Sequence, residues 1–490
     1  MKQGRSVWIV GLDAAEHRLM ERWVAEGALP SFAKLLHQGV YGILESTAEV
    51  FSGSAWISIA TGCGPEKCGV YSRYQLVNGT YDVRRIRADD CKVRPFWSDF
   101  AGPTVLVDIP KMPLCGPVDG VQIVEWGAYD HYAAFASAPA HVSSEISRDF
   151  GSHPFVERDF EVALHSRRDF DNIKTQVLEG VRMKQRLNYA LLERYKPRFF
   201  FSVFGETHAA GHAFWRFQDP KHPGYVPNDD LQSALFETYK AIDGAIGETL
   251  EQLPNDAILL VLSSQGFSRD SMAGEEFLAE ILVRMGMSIP RTERINYAYA
   301  PYAPALSLDM SRTRAFCLPT DLQGYIRINL RGREPQGIVP EHAYESLCCE
   351  LEAELLALRD CTHKTPVVDR VVRVRECCPN DPASALPDLS IIWNNDHVVT
   401  GVESARLGIV RRNPDLTAGG GNHRGSGFML MYGRDIAPPR LAGNAYDIAP
   451  TLSRLLGEAN PQHGDGKILP IPELNLQPDG DAANCGRAIP

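Results

Sequence analysis

The 490-residue chain lacks what several broad classes of protein require. No stretch approaches the roughly 18–20 consecutive apolar residues of a membrane-spanning helix, so no membrane partner is expected. The apolar run from Val7 to Leu12 is too short for a signal segment and is followed by Asp13 and Glu16. It reads as a buried strand, and a cytoplasmic location is expected. Basic residues are not in excess. The net charge is −11, which argues against a nucleic-acid partner but not against a phosphorylated substrate, because a metal can supply local positive charge. No C-x-x-C pair occurs among the eleven cysteines. That odd count without framework spacing excludes a disulfide scaffold and reads as reduced thiols. The vicinal pairs Cys348-Cys349 and Cys377-Cys378 read as small apolar core residues. There is no internal repeat and no low-complexity block. With 44% apolar and 23% charged residues, a disordered, collagenous or coiled-coil chain is excluded and a sizeable core is allowed.

What is present alternates between strand and helix patterns. The length corresponds to about three domains at roughly 150 residues each, or equally to one large α/β domain with insertions. Strands are expected at 7–12, 104–108, 198–204 and 257–263. Helices are expected at 30–37, 54–61, 168–196 and 229–253, with a His-rich loop after 204. Continuous apolar strands alternating with helices indicate an α/β fold with a largely parallel central sheet flanked by helices. Residues 270–385, with a helix at 341–358, read as a cap or insertion. The sheet is expected to resume at 388–393 and 427–432, before a closing helix at 446–456. The expected division is a discontinuous core (1–269 and 386–460), a cap (270–385) and a loop-like or frayed tail (461–490).

Ligands of open parallel sheets bind beyond the carboxyl ends of the strands. Polar residues just after the expected strands, and in two loops, fall in five places: Asp13; Ser52; Glu206-Thr207-His208 with His212; Ser264-Gln265; and Asn422-His423-Arg424. His208 and His212, spaced i and i+4, share one face of a helical turn and can share a metal. His423 in GGGNHRGSG is a third imidazole, and three His with an open position form a catalytic metal arrangement, most often of zinc. Each element also has a plainer reading. The His pair and Asp13 can be capping residues, His423 can bond loop backbone, and Ser52 can be a helix N-cap rather than a nucleophile. Tyr297, Tyr299 and Tyr302 either stack on a substrate ring or pack within the cap.

Taken together, these segments resemble the type I phosphodiesterase and nucleotide pyrophosphatase branch of the alkaline phosphatase superfamily. The resemblance rests on Gly11-Leu12-Asp13, on Ala55–Gly62 followed by Pro65-Glu66-Lys67-Cys68-Gly69, on GYIRINLRGREPQGIV at 324–339, on GNHRGSGFMLMYG at 421–433 and on DIAPTLSRLLG at 447–457. It implies an alkaline-phosphatase-like layered fold, with Ser52 as the nucleophile. It also implies two metals. One would use the positions of His208, His212 and His423, where His208 replaces an Asp. The other would use Asp13, Ser52 and an Asp-His pair that is here Ser264-Gln265. Neither Ser nor Gln is a good transition-metal ligand, so one metal per chain, zinc or a similar divalent ion, is favoured over two. Lys67 or Arg424 would partly replace the second metal's charge, and Glu206 would orient His208. The expected function is metal-dependent hydrolysis of a phosphodiester, pyrophosphate or related ester, with a small-molecule substrate such as a phosphate ester or nucleotide. Two alternatives stand beside it: a mononuclear three-His enzyme with non-phosphatase chemistry, and a non-catalytic binding protein on the same fold.

Overall fold

In the computed structural model, residues 5–155, 166–271, 274–320, 322–378, 385–412, 420–434, 436 and 440–471 are described. The expected tail beyond 471 lies outside them, as does Gly419 of the late glycine-rich segment. A nine-stranded sheet organises the core. Its order is Arg440–Asn444, Val40–Glu45, Ser426–Gly433, Ile258–Ser263, Val7–Leu12, Phe199–Phe204, Thr104–Val107, Gly120–Val124 and Ala136–Ala138. The first strand in sequence sits near the middle, parallel to both neighbours. Ser426–Gly433 is inserted antiparallel to its two neighbours, so the sheet is mixed but mostly parallel.

The apolar strands are continuous because both faces are buried. On the first strand Trp8, Val10 and Leu12 face one core cluster, while Val7 and Ile9 face the other. Phe200 and Phe204 alternate with Phe199, Phe201 and Val203 in the same way. One face is covered by helices His17–Ala25, Pro30–Gln38, Arg167–Tyr195, Glu206–Gln218 and Ala234–Gln252. The other is covered by Ala55–Thr61 and Ile448–Leu456. Each fully buried Val, Leu, Ile or Phe side chain contributes about 1.5–3 kcal/mol relative to exposure, which makes this three-layer stack a rigid platform.

Four expectations need correction. The strand Leu389–Trp393 does not rejoin the central sheet. It pairs with Gly324–Ile328 and Val368–Arg373 in a separate four-stranded antiparallel sheet with its own core. An apolar run records burial, not which sheet it joins. The His-rich segment after 204 is helix Glu206–Gln218, not a loop. Residues 458–471 have no regular element, yet Leu469 and Ile471 are buried in the core rather than frayed. The ten described cysteines are free thiols, but of the vicinal pairs only Cys348 is buried. Among the described residues, no helix is long and apolar enough to cross a membrane.

In the second sheet, buried charge is paired. Arg333 grips Asp388 at 2.6 and 2.8 Å, and Arg327 holds Glu334 at 2.7 Å. Burial pushes the Asp388 carboxyl up, but Arg333 and Arg327 outweigh it and hold it below the usual carboxylate range.

Gly11 links the sheet to what lies at its edge. A Cβ there would sit 2.8 Å from the Trp56 ring and 2.8 Å from a Val203 methyl. Without it, Trp56 lies over the strand and donates its indole N–H to Asp13 at 2.7 Å. Gly11→Ala is expected to cost about 1–3 kcal/mol through overpacking, read as a lower midpoint in chemical denaturation.

Candidate metal centre

The site lies where parallel strands end. Asp13 follows the first strand, and its N–H donates to the Phe204 carbonyl at the end of the neighbouring strand (2.9 Å). The chain then turns at Gly205 into helix Glu206–Gln218, and Thr207 Oγ1 donates back to the Asp13 carbonyl at 2.6 Å. On the other side, Ile258–Ser263 ends at Ser264-Gln265. The chain continues as strand Gly266–Arg269, which pairs antiparallel with Gly421–Arg424 and sets Phe267 opposite His423. His423 is therefore on a strand, not in the expected glycine-rich loop. Glycine is needed here for backbone contact: a Cβ on Gly421 would lie 2.2 Å from the Gly211 carbonyl oxygen.

These elements bring three imidazoles together. The Nε2 atoms of His208, His212 and His423 form a triangle with sides of 3.0, 3.0 and 2.8 Å. It is the one cluster of three or more metal-ligand side chains among the described residues. Behind the triangle, each Nδ1 has a polar partner. Asp13 Oδ2 lies 2.7 Å from His208, the Gly421 carbonyl 3.0 Å from His212, and the Gln265 amide 2.8 Å from His423. An Nδ1–H that donates to Asp13 or to Gly421 leaves Nε2 with a bare lone pair. Rotating the Gln265 amide places its oxygen against Nδ1, and His423 then does the same. Three lone pairs within 3 Å of one another repel unless a cation lies between them. Burial, and next the neighbouring His208, push His212 down to about 3, and burial lowers His423 well below its ordinary value. Both are neutral donors near pH 7. The donor set fits a borderline divalent metal with further coordination positions open, and the acceptors behind it are the usual outer support of such a site.

The other expected residues divide clearly. Both Asp13 oxygens are engaged, one by Trp56 and one by His208, so Asp13 reaches the triangle through His208. Glu206 was expected to orient His208. It is instead buried against His153, at 3.0 Å, and Asp13 takes that place. Gln265 supports His423, while Ser264 Oγ is buried without a hydrogen-bond partner. Lys67 does not stand in for a metal: it is tied to Asp465 and to the His463 carbonyl. Ser52 begins a 3₁₀ turn leading into helix Ala55–Thr61, and its buried Oγ has no hydrogen-bond partner.

Four residues near the site were missed. The Lys111 ammonium donates to the Gly53 carbonyl at 3.0 Å, next to Ser52. The Gly53 backbone packs on Ser72, because a Cβ there would be 2.6 Å from it, and this sets Arg73 beside the same turn. Arg73 lies 3.7 Å from Asp130. Burial raises the Asp130 carboxyl, but His208, Arg73 and Lys111 outweigh this and hold it below the usual range. Tyr129 stacks on His208, with ring centres 3.9 Å apart. The Asp108 carboxylate accepts from the Trp126 and Gly127 N–H groups, both at 2.8 Å, and pairs with buried Lys184, which fixes the start of the segment leading to Tyr129 and Asp130.

A cavity of about 240 Å³ opens beside His423, lined also by Glu49, Gln323, Trp393, Asp396 and Arg424. Tyr297, Tyr299 and Tyr302 do not line it. Tyr302 packs edge-on against Tyr74, Tyr297 packs on the second core, and Tyr299 is exposed. Asp13→Asn is expected to weaken metal binding about 10–100-fold in a chelator competition, and His212→Ala to abolish it.

The family described as Type I phosphodiesterase / nucleotide pyrophosphatase matches residues 7–417. No curated protein matches in sequence. Phosphonoacetate hydrolase from Sinorhizobium meliloti 1021, in complex with phosphonoacetate, is similar in fold with a TM-score of 0.56 and 13% identity over 91% of this chain and 94% of that one. Wild type alkaline phosphatase PafA gives a TM-score of 0.53 and 13% identity, over 96% of this chain and 99% of that one. The chain belongs to the type I phosphodiesterase / nucleotide pyrophosphatase family.

Proposed function

We propose that this protein is a metal-dependent hydrolase of a small phosphoester, with one divalent metal held by His208, His212 and His423. The observation that carries the reading is the triangle of Nε2 atoms, each imidazole backed at Nδ1 by Asp13, Gly421 or Gln265. When bound there, a metal such as zinc supplies Lewis acidity toward a phosphoryl oxygen and lowers the pKa of a bound oxygen. Ser52 is the nucleophile in this reading. Its Oγ forms the new O–P bond as its proton passes to solvent, the P–O bond to the leaving group breaks and that oxygen takes up a proton, and water then attacks phosphorus, breaking the Ser52 O–P bond and returning a proton to Ser52. The support for Ser52 is a buried hydroxyl without a partner, on the turn that Lys111 pins through Gly53. Lys111 and Arg73 supply fixed positive charge beside that turn, where Ser264-Gln265 and an engaged Asp13 leave no second set of metal ligands. Preorganised charge at the phosphoryl oxygens is what this class of reaction chiefly requires. The cavity beside His423 would take the leaving group, and a phosphodiester, a pyrophosphate or a nucleotide falls within the class. The site is proposed to work in a cytoplasmic protein.

A second reading has a specific observation in its favour. The Ser52 hydroxyl has no hydrogen-bonded base, which favours the metal acting on substrate directly, with Ser52 as a binding group. Ser52→Ala separates the two. Under the first reading turnover of bis(p-nitrophenyl) phosphate falls by more than about a thousandfold with metal content unchanged. A loss below about tenfold in the same assay favours the second.

A further inference from the structure

Arg269 is buried at the end of strand Gly266–Arg269, in register with Gly421, whose carbonyl faces His212. Its guanidinium reaches two ways. One arm donates to Asp219 Oδ2 at 2.6 Å, and Asp219 is the residue that ends helix Glu206–Gln218, the bearer of His208 and His212. The other arm donates to the Asp396 carbonyl at 2.5 Å and the Asn395 carbonyl at 3.5 Å. Asn395 and Asp396 form one wall of the cavity that opens on His423. Two further ties run the same way: Asn395 Nδ2 donates to Ser268 Oγ at 3.2 Å, and the Val399 N–H to the Ser271 carbonyl at 2.8 Å. Another part of the lining is held without Arg269, through Gln323 on the Ala48 and Glu49 carbonyls and Tyr325 on the Val50 carbonyl.

We propose that Arg269 is a positioning residue that locks the Asn395–Asp396 wall of the cavity to the helix carrying two of the metal-binding histidines, and so sets how the leaving-group end of the substrate is held. The inference rests on the hydrolase reading above for its kinetic consequence only. A planar fork bonds two directions at once, whereas an ammonium serves as a point charge, so Lys is a poor substitute. Losing the fork frees one wall while the histidine helix keeps its packing against the sheet.

The test compares wild type, Arg269→Met and Arg269→Lys in the full-length, metal-loaded protein. In Arg269→Met, hydrogen exchange of the 394–399 amides rises about tenfold or more, while helix 206–218 and the metal content stay at wild-type levels. KM for bis(p-nitrophenyl) phosphate rises about tenfold with kcat within about threefold, the signature of lost ground-state binding, and Arg269→Lys recovers only part of it. Unchanged exchange at 394–399 overturns the proposal. So does equal loosening of 206–218 with loss of metal, which makes Arg269 a structural support of the metal helix. If Arg269→Met does not fold, Asp219→Ala cuts the tie to the helix and is read by the same exchange pattern. If wild type turns over no phosphoester, the hydrolase reading fails, and the exchange data still decide the role of Arg269.

Discussion

Three imidazole nitrogens held within about 3 Å of one another are the constraint on which the rest of the site depends. Such a cluster is relieved when each ring is fixed by a polar partner behind it and turns a lone pair toward a shared cation in front. The three polar partners come from different parts of the chain, and the sheet brings them to one edge. Asp13 ends the first strand, Gly421 opens a strand, and Gln265 follows the strand that ends at Ser263. The rigidity of a sheet buried on both faces is what keeps those distances short.

This constraint makes the departures from the family pattern intelligible as one coupled change. By the resemblance, position 208 is an Asp ligand and Asp13 belongs to a second metal. Placing His at 208 creates an Nδ1–H that needs an acceptor, and Asp13 lies 2.7 Å away to provide it. Asp13 is then committed. At the positions of the family's Asp-His pair stand Ser264 and Gln265, and Gln265 takes a new place behind His423. Lys111 bonds the Gly53 carbonyl and Arg73 follows Ser72, on which Gly53 packs, so the neighbourhood keeps positive charge without that pair. The pieces fit a smaller metal centre better than a decaying one.

The core was legible because buried parallel strands are written as apolar runs. Val7–Leu12, Phe199–Phe204 and Ile258–Ser263 were placed to within one residue, and the late helix near 448–456 also stood out. The histidine helix was not, because ten of its thirteen residues are buried and it has no polar face to give a helical period. The strand carrying His423 was hidden by its glycines, whose reason is tertiary: Gly421 must pass close to Gly211. Tyr129 and Asp130 follow the strand Gly120–Val124, which was not anticipated, so the rule that polar residues after strands form sites had no strand to start from. Lys111 was within reach of that rule, four residues beyond Val107. The destination of Leu389–Trp393 was beyond any local reading, since burial is the same in either sheet.

Elemental analysis of purified wild type and His208→Ala, side by side, tests the three-histidine centre most directly. One divalent transition-metal ion per wild-type chain, lost in His208→Ala, is the predicted result. Two ions per chain, or a metal content that His208→Ala leaves unchanged, would contradict it.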